Sequence, residues 1–317
     1  MKVIDIIKQA EKPLFTFELL PPPTGSSIDR VFKTIDVLRE YEPAYINFTY
    51  HREEVIYRER PDGLAERVTV RRRPGTIALS AAVKNRYGIE VVPHLICGGA
   101  RADELEEALV ELNFLGIDNV FALRGDPPRG ERRFSPQPGG FAHTTDLVDQ
   151  ISRMNHGVYL DSGLKEPLPT QFCIGVAGYP EKHFESPNME EDLHWMKEKI
   201  NRGGEYIVTQ MFFLNDRFYK FVEDCRNAGI TVPIIPGIKP ITALSDLDLL
   251  PQTFHVDLPE ELVRAVRACR TNKEAREVGA EFAIQQSKDL IAHGVPGIHY
   301  YTLGRAATTA KIVREVF

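Results

Sequence analysis

The chain lacks the short motifs that announce most cofactor and metal sites: no G-x-G-x-x-G follows an apolar run, and there is no H-E-x-x-H and no C-x-x-C pair. The first absence removes a Rossmann dinucleotide fold, and the others leave no metal-ligand spacing, so no metal is expected. Cysteine is scarce, and Cys97, Cys173, Cys225 and Cys269 are widely separated. Cys97 and Cys173 sit in apolar runs, where a free thiol behaves as a small hydrophobe, and the pattern fits a reduced, cytoplasmic setting. No apolar run approaches a membrane span. Residues 1–11 alternate Val3, Ile4, Ile6 and Ile7 with Lys2, Asp5 and Lys8, an amphipathic helix rather than a signal peptide. A net charge of -6 gives no electrostatic reason to bind nucleic acid, whose affinity comes from clustered Lys and Arg. The one basic run, Arg71-Arg72-Arg73, is expected to be a solvated loop.

What is present is a repeating unit. Eight apolar, β-branched runs, at 14–20, 45–50, 91–97, 119–126, 173–179, 206–213, 233–240 and 297–305, are separated by helix-length segments. Parallel neighbours need such long crossovers, so the runs predict a parallel sheet, and eight of them predict a closed (β/α)8 TIM barrel, an α/β fold. With 317 residues, 43% hydrophobic and 26% charged, the chain is expected to form one barrel domain over 1–317. Ser26 or Ser27 is placed to cap a helix bearing Ile28, Val31, Phe32, Ile35 and Leu38 on one face. The segment 102–115 repeats the pattern and stops at Gly116, a left-handed cap position. Further helices are expected over 189–202 and 216–228, from Pro259 to Cys269, and from a Thr271 cap to His293. The charged insertion 52–74 follows the second strand and so belongs on the active-site face as a lid or rim. The insertion 155–169 precedes the fifth strand and belongs on the opposite face.

Because barrel chemistry collects at the C-terminal strand ends, polar residues there are the candidates. Glu18 lies in an apolar strand that exits through Pro21-Pro22-Pro23. Desolvation favours its neutral form, which suits a general acid; an ion pair with Arg305 or Arg124 is an equal alternative. Arg124-Gly125-Asp126 closes the fourth run, where a glycine admits a flat ligand between charges, or the charges form a structural pair. His94 is a lone imidazole, for which a satisfied core histidine is the usual explanation. Gln210 offers an amide beside Met211, Phe212 and Phe213, suited to a heterocycle edge. Lys239, in an apolar strand end, points to a different chemistry, a Schiff base, although a lysine snorkelling to the rim is the commoner outcome.

These segments together resemble the 5,10-methylenetetrahydrofolate reductase family from about Phe15 to Arg305. The resemblance rests on Phe17-Glu18 with the prolines, Pro93-His94-Leu95, Ala122-Leu123-Arg124-Gly125-Asp126, Tyr179-Pro180-Glu181, Thr209-Gln210, Ile235-Pro236-Gly237-Ile238 and Tyr301-Thr302-Leu303-Gly304-Arg305, in matching order. It implies FAD at the barrel mouth and ping-pong turnover, in which NADH or NADPH reduces the flavin and departs before the folate occupies the same face. Glu18 would be the general acid that opens the folate's five-membered ring to an iminium, which accepts hydride from flavin N5. Asp126 would sit near flavin and pterin, Gln210 would bind the pterin, and Leu303 and Arg305 would lie on the substrate side. Thr49, His94, Leu123, Arg124, Gly125, Ala177, Tyr179, His183, Asp192 and Lys199 match flavin-binding positions. The resemblance is compatible with a homo-oligomer.

The chain also departs from that family. His143-Thr144 stands where an aromatic residue and Ala usually touch the cofactor; Trp195 and Glu198 stand where polar and basic residues are common. Leu250 takes the place of an aromatic expected to cover pterin or nicotinamide, with Phe254 following, and the compact bacterial form has no counterpart to 52–74. The chain ends at Phe317 soon after the last strand, so no C-terminal regulatory domain, and no feedback control through one, is expected. Three readings stand: a flavin-dependent folate reductase, a Schiff-base lyase using Lys239, and a noncatalytic flavin- or folate-binding subunit.

Overall fold

The computed structural model describes residues 1–127, 131, 133–302 and 304–317. Its strands are β1 (Leu14–Leu19), β2 (Tyr45–Phe48), β3 (Glu54–Glu59), β4 (Ala65–Val70), β5 (Glu90–Ile96), β6 (Asn119–Leu123), β7 (Cys173–Gly178), β8 (Tyr206–Thr209), β9 (Ile234–Ile235), β10 (Gly237–Ile238) and β11 (Gly297–Tyr301). All but β3 and β4 form one parallel sheet in the order β10-β11-β1-β2-β5-β6-β7-β8-β9. Since β9 and β10 flank Pro236, they are two halves of one strand, and the sheet is a nearly closed barrel with eight positions, as the periodicity predicts. Proline has no N–H to give to a ladder, which accounts for the break. His299 N still donates to Pro236 O at 2.9 Å, and Thr209 Oγ1 accepts from Gly237 N at 3.0 Å, so the seam is bridged on both sides.

The helices are α1 (Val3–Gln9), α2 (Asp29–Leu38), α3 (Thr76–Tyr87), α4 (Ala102–Phe114), α5 (Thr144–Asn155), α6 (Met189–Asn201), α7 (Asn215–Asn227), α8 (Asp246–Phe254), α9 (Glu260–Arg267), α10 (Asn272–Ala292) and α11 (Ala306–Val316). The Thr271 cap holds, its Oγ1 accepting from Glu274 N at 3.2 Å. The expected serine cap of α2 does not: the cap residue is Ile28, without a side-chain bond, and Ser27 Oγ accepts from Asp29 N at 3.1 Å just ahead of the helix. Gly116 has φ 66°, the left-handed turn that ends α4.

Strand alternation divides the core in two. Phe15, Phe17, Leu19, Ile46, Phe48, Val91 and Leu95 pack outward against Ile35, Leu38, Val83 and Leu109 of the helices. Tyr45, Val92, Phe121, Cys173, Tyr206, Val208 and Ile235 fill the barrel interior, together with Val3, Ile4 and Ile7 of α1. The amphipathic N-terminal helix therefore plugs the end of the barrel where strands begin. Asn119 Oδ1 anchors it by accepting from Val3 N at 2.7 Å.

The insertion at 52–74 is more ordered than a rim loop: β3 and β4 pair antiparallel, Glu54 opposite Val70 through Glu59 opposite Ala65. The basic run leaves the hairpin as an exposed loop at Arg71 and Arg72, as expected, and its side chains find partners there. Arg71 and Arg72 face Glu53 and Glu54 at 3.6 and 3.5 Å, and Arg73 donates to Pro21 O. Among the described residues, no helix is long and apolar enough to cross a membrane.

Candidate functional site

One cavity of about 1430 Å³ opens at the C-terminal ends of the strands. Its wall includes Glu18, Thr49, His94, Leu123, Arg124, Gly125, Asp126, Ala177, Tyr179, His183, Asp192, Lys199, Gln210, Lys239 and Arg305. Every site residue named from the sequence is brought there except Leu303, which lies outside the described residues. The cause is the two-residue period. Glu18, His94, Leu123, Ala177, Tyr179, Gln210 and Lys239 each stand in phase with an inward-facing neighbour on their strand or its direct continuation.

Glu18 is one of the two most enclosed acids of the mouth, 7% exposed, as is Asp246. Its Oε2 lies 4.0 Å from His94 Nε2 and 3.9 Å from His299 Nε2. The anticipated arginine partners are elsewhere, because Arg124 pairs with Glu185 at 2.5 Å and Arg305 stands exposed at the start of α11. His299 is a residue the sequence reading missed. Its Nδ1 is 2.8 Å from Thr16 Oγ1, which fixes the ring below the carboxyl. The available signal was its phase with Tyr301 on β11; its closeness to Glu18 depends on the β1–β11 pairing, which sets Glu18 opposite Tyr301.

Burial pushes the His94 imidazole down to about 4, against a smaller upward pull from Glu18, so the ring is neutral at physiological pH. Asn47 Nδ2 stands 3.1 Å from His94 Nε2. As an amide N–H it donates, which assigns Nε2 as acceptor and leaves the ring proton on Nδ1. Asn47 Oδ1 is then a buried acceptor with no partner among the described residues.

The opposite wall carries cations and their restraints. Gly125 has φ 85°, and a Cβ there would meet Ile96 Cδ1 at 3.3 Å, so only glycine keeps the Arg124–Asp126 turn relaxed. Asp126 is exposed at the rim, and its carbonyl accepts from Arg52 Nη1 at 3.2 Å. Asp192, in the first turn of α6, accepts from Ser186 Oγ at 2.7 Å and His183 N at 3.3 Å. Lys199, two turns on, donates to Ala177 O at 2.7 Å, and burial lowers its ammonium to about 8. Gln210 Oε1 accepts from Met211 N at 2.9 Å, which orients the carboxamide.

Lys239 is buried, and its Nζ lies 3.6 Å from Asp246 Oδ2 and 3.3 Å from Pro240 O. Asp246 also takes Thr242 N at 2.7 Å and Ala243 N at 3.2 Å. The amine is thus the counter-ion of a carboxylate that opens α8 and holds the turn leading into it. A Schiff base would have to break that pair and leave a buried carboxylate unpaired.

Two side-chain contacts join the loop after β7 to the segment after α8. Phe184 stacks on His255 at 5.1 Å, and Glu181 Oε2 accepts from Asp257 N at 3.0 Å while its Oε1 is buried without a partner among the described residues. Burial raises the Glu181 carboxyl to about 7. The folded chain therefore holds a proton that the unfolded chain releases at ordinary carboxylate pH, and this contribution is lost as pH rises toward about 7. Thermal melts should show Glu181→Gln losing less stability than wild type between about pH 5 and about pH 8. Identical losses would mean that Glu181 titrates as a solvated acid.

A family model described as methylenetetrahydrofolate reductase matches residues 2–316. Methylenetetrahydrofolate reductase (NADH) 1 of Arabidopsis thaliana is 34% identical over 96% of this chain and 48% of its own length. The 5,10-methylenetetrahydrofolate reductase of Escherichia coli is 30% identical over 94% of this chain and 88% of its own. The chain spans about half the length of the plant and yeast relatives it matches. Among solved structures, a Clostridium thermocellum protein described as binding two copies of 5-methyl-5,6,7,8-tetrahydrofolic acid superposes with a TM-score of 0.55. That match covers 98% of this chain and 97% of the other at 14% identity, a likeness of fold.

Proposed function

The chain belongs to the methylenetetrahydrofolate reductase family, and from that premise we propose that it reduces 5,10-methylenetetrahydrofolate to 5-methyltetrahydrofolate with NADH or NADPH, the two substrates alternating at one bound FAD. The observation that supports this most is the meeting of Glu18, Asp126, Gln210 and Arg305 on the wall of a single cavity. Their sequence separation gives no reason for them to meet in any other fold.

The residues present fit FAD. The cavity exceeds the usual ~300–1,000 Å³ of a small-molecule site, leaving room for a dinucleotide and a second ligand. Asn47 Oδ1 is a buried acceptor that awaits a donor, and Gly125 keeps backbone free of a side chain between Arg124 and Asp126. Arg124 and Lys199 provide positive charge for a diphosphate, and His94, Leu123, Ala177 and Tyr179 provide a mixed polar and apolar wall for a flat ring system. When bound, FAD supplies the hydride carrier that connects the nicotinamide and folate halves of turnover.

The chain's own residues do the rest. Glu18 holds a proton at its carboxyl and delivers it to the folate nitrogen that departs as the five-membered ring opens. Neutral His94 and the Thr16-fixed His299 keep that carboxyl in place and keep water away from it. Gln210 and Asp126 orient the pterin, and Arg305 at the exposed rim meets the substrate's anionic end. Phe254 and Leu250 line the same wall, so the apolar cover over the bound ring comes from α8. The free thiols favour a reducing cytoplasm as the setting.

A visible spectrum with anaerobic half-reactions tests the reading. The purified chain should carry or take up flavin, NADH or NADPH should bleach it, and methylenetetrahydrofolate should restore the colour. A colourless chain that takes up no flavin, or one trapped by borohydride on Lys239 with a carbonyl substrate, would overturn it.

A further inference from the structure

The β3–β4 hairpin forms part of the cavity wall through Val55, Tyr57 and Arg67. Val55 and Tyr57 are two residues apart, and Thr69 and Arg67 lie directly opposite them in the antiparallel pairing, so all four share one face of the blade. That face looks into the mouth. Tyr57 is 71% exposed and Val55 39%, which leaves an aromatic and an aliphatic surface open beside a cation. Arg67 is exposed and makes no ion pair among the described residues, whereas Arg60, Arg71 and Arg72 are taken by Asp62, Glu53 and Glu54. Arg58, the only other arginine of the two strands, adjoins Tyr57 in sequence and so lies on the opposite face. The blade is held at its base on both sides. Arg52 Nη1 donates to Asp126 O at 3.2 Å, and Thr24 N donates to Arg72 O at 2.8 Å, so the loops after β6 and β1 fix the direction in which the face looks.

The sheet order places this face beside the reaction. Strands β11, β1 and β2 are consecutive; Arg305 follows β11, Glu18 stands on β1, and the hairpin follows β2. Glu18 therefore lies between an exposed arginine and the blade. The nitrogen it protonates is the one that bears the folate's p-aminobenzoyl ring, and that ring carries a glutamate with two carboxylates. The arm thus starts on this arc of the mouth. A flat ring followed by anions complements an open tyrosine followed by an arginine with room for a carboxylate. The reduced nicotinamide has no atom for Glu18 to protonate, so nothing directs its remote half to the same arc.

We propose that the cavity face of the β3–β4 hairpin is the subsite for the aryl-glutamate arm of the folate, with Tyr57 against the ring and Arg67 and Arg305 each taking a carboxylate. The inference rests on the folate reading above and adds the grip on the part of the substrate remote from the reaction. It makes the hairpin a specificity-determining wall for one of the two substrates.

The test uses the full flavin-loaded chain and measures KM and kcat for each substrate separately. Tyr57→Ala should raise KM for methylenetetrahydrofolate roughly two- to tenfold, the range an aromatic contact supplies, and Arg67→Ala roughly two- to fivefold, as for an exposed ion pair. Both should leave kcat and the KM for NADH or NADPH as in wild type, the pattern of a contact equal in ground and transition states. Tyr57→Phe, which keeps the ring, should recover most of the loss. With methylenetetrahydropteroate, which lacks the glutamate, wild type and Arg67→Ala should have the same KM. Both side chains are exposed on a surface blade, so their loss leaves the barrel core untouched. Unchanged folate KM in both alanine variants, a shift in the nicotinamide KM instead, or an Arg67→Ala effect that persists without the glutamate would overturn the subsite while leaving a folate reductase intact. A wild-type chain that reduces no methylenetetrahydrofolate would overturn the folate reading itself, and the subsite with it.

Discussion

Glu18→Gln is expected to slow folate reduction by roughly 10²–10⁴-fold while reduction of flavin by the nicotinamide keeps its rate, because only the folate half needs a proton from the protein. The substitution is close to isosteric in a site with little slack, since Glu18 is 7% exposed and faces His94 and His299 at 4.0 and 3.9 Å. A carboxamide keeps the volume and hydrogen-bonding capacity but cannot release a proton at neutral pH. Neither histidine is a ready substitute. His94 is neutral near pH 7, with its Nε2 lone pair taken by Asn47 and no proton on that nitrogen to give, and His299 is tied to Thr16. Anaerobic stopped-flow traces of the two half-reactions separate the outcomes. Equal losses in both would make Glu18 a residue that positions the flavin, and unimpaired turnover would leave it no chemical role.

The second large effect concerns a residue that touches no ligand. An ideal Cβ on Gly279 would lie 2.1 Å from Ile241 O and 2.8 Å from Ile241 C. Those atoms are backbone, so no rotamer change relieves the clash. Gly279→Ala gains about 1 kcal/mol of helix propensity in α10 but incurs overpacking of about 1–3 kcal/mol or more, and contact with main chain puts it at the upper end. We expect a fall in Tm of on the order of 5 °C, read by calorimetry. The displaced segment is Ile241-Thr242, whose Thr242 bonds to Asp246, the partner of Lys239 on the cavity wall, so weaker substrate affinity should accompany the lower Tm. A variant as stable as wild type would mean that α10 shifts freely over the barrel.

Much of this architecture is legible in the sequence because two periods carry it. Every second residue of each apolar run faces the interior, so the polar residue at the end of a run is assigned to the mouth without coordinates. Glu18, His94, Tyr179 and Gln210 follow that rule. The hairpin of β3 and β4 does not, since it has no buried face and its charged residues give no apolar alternation to read; Tyr57 is 71% exposed. Partnerships across strands are also hidden. The approach of His299 to Glu18 depends on register, and the crowding of Gly279 by Ile241 depends on how α10 lies on the sheet. Neither is written in local pattern. The Lys239 alternative is chemically sound from its strand, and what weighs against it is Asp246, a carboxylate at the start of α8 seven residues downstream.

The divided strand at Pro236 gives the barrel unequal stiffness around its circumference. β9 and β10 each hold only a short register with one neighbour, whereas β1 is laced along its length to β11 and is also paired with β2. Thermal breathing should therefore collect on the arc that carries Lys239 and leads into α8, and be smallest beneath Glu18. A mouth with one rigid lip and one compliant lip can hold its proton donor in fixed register while the facing wall yields to admit and discharge two molecules of different shape.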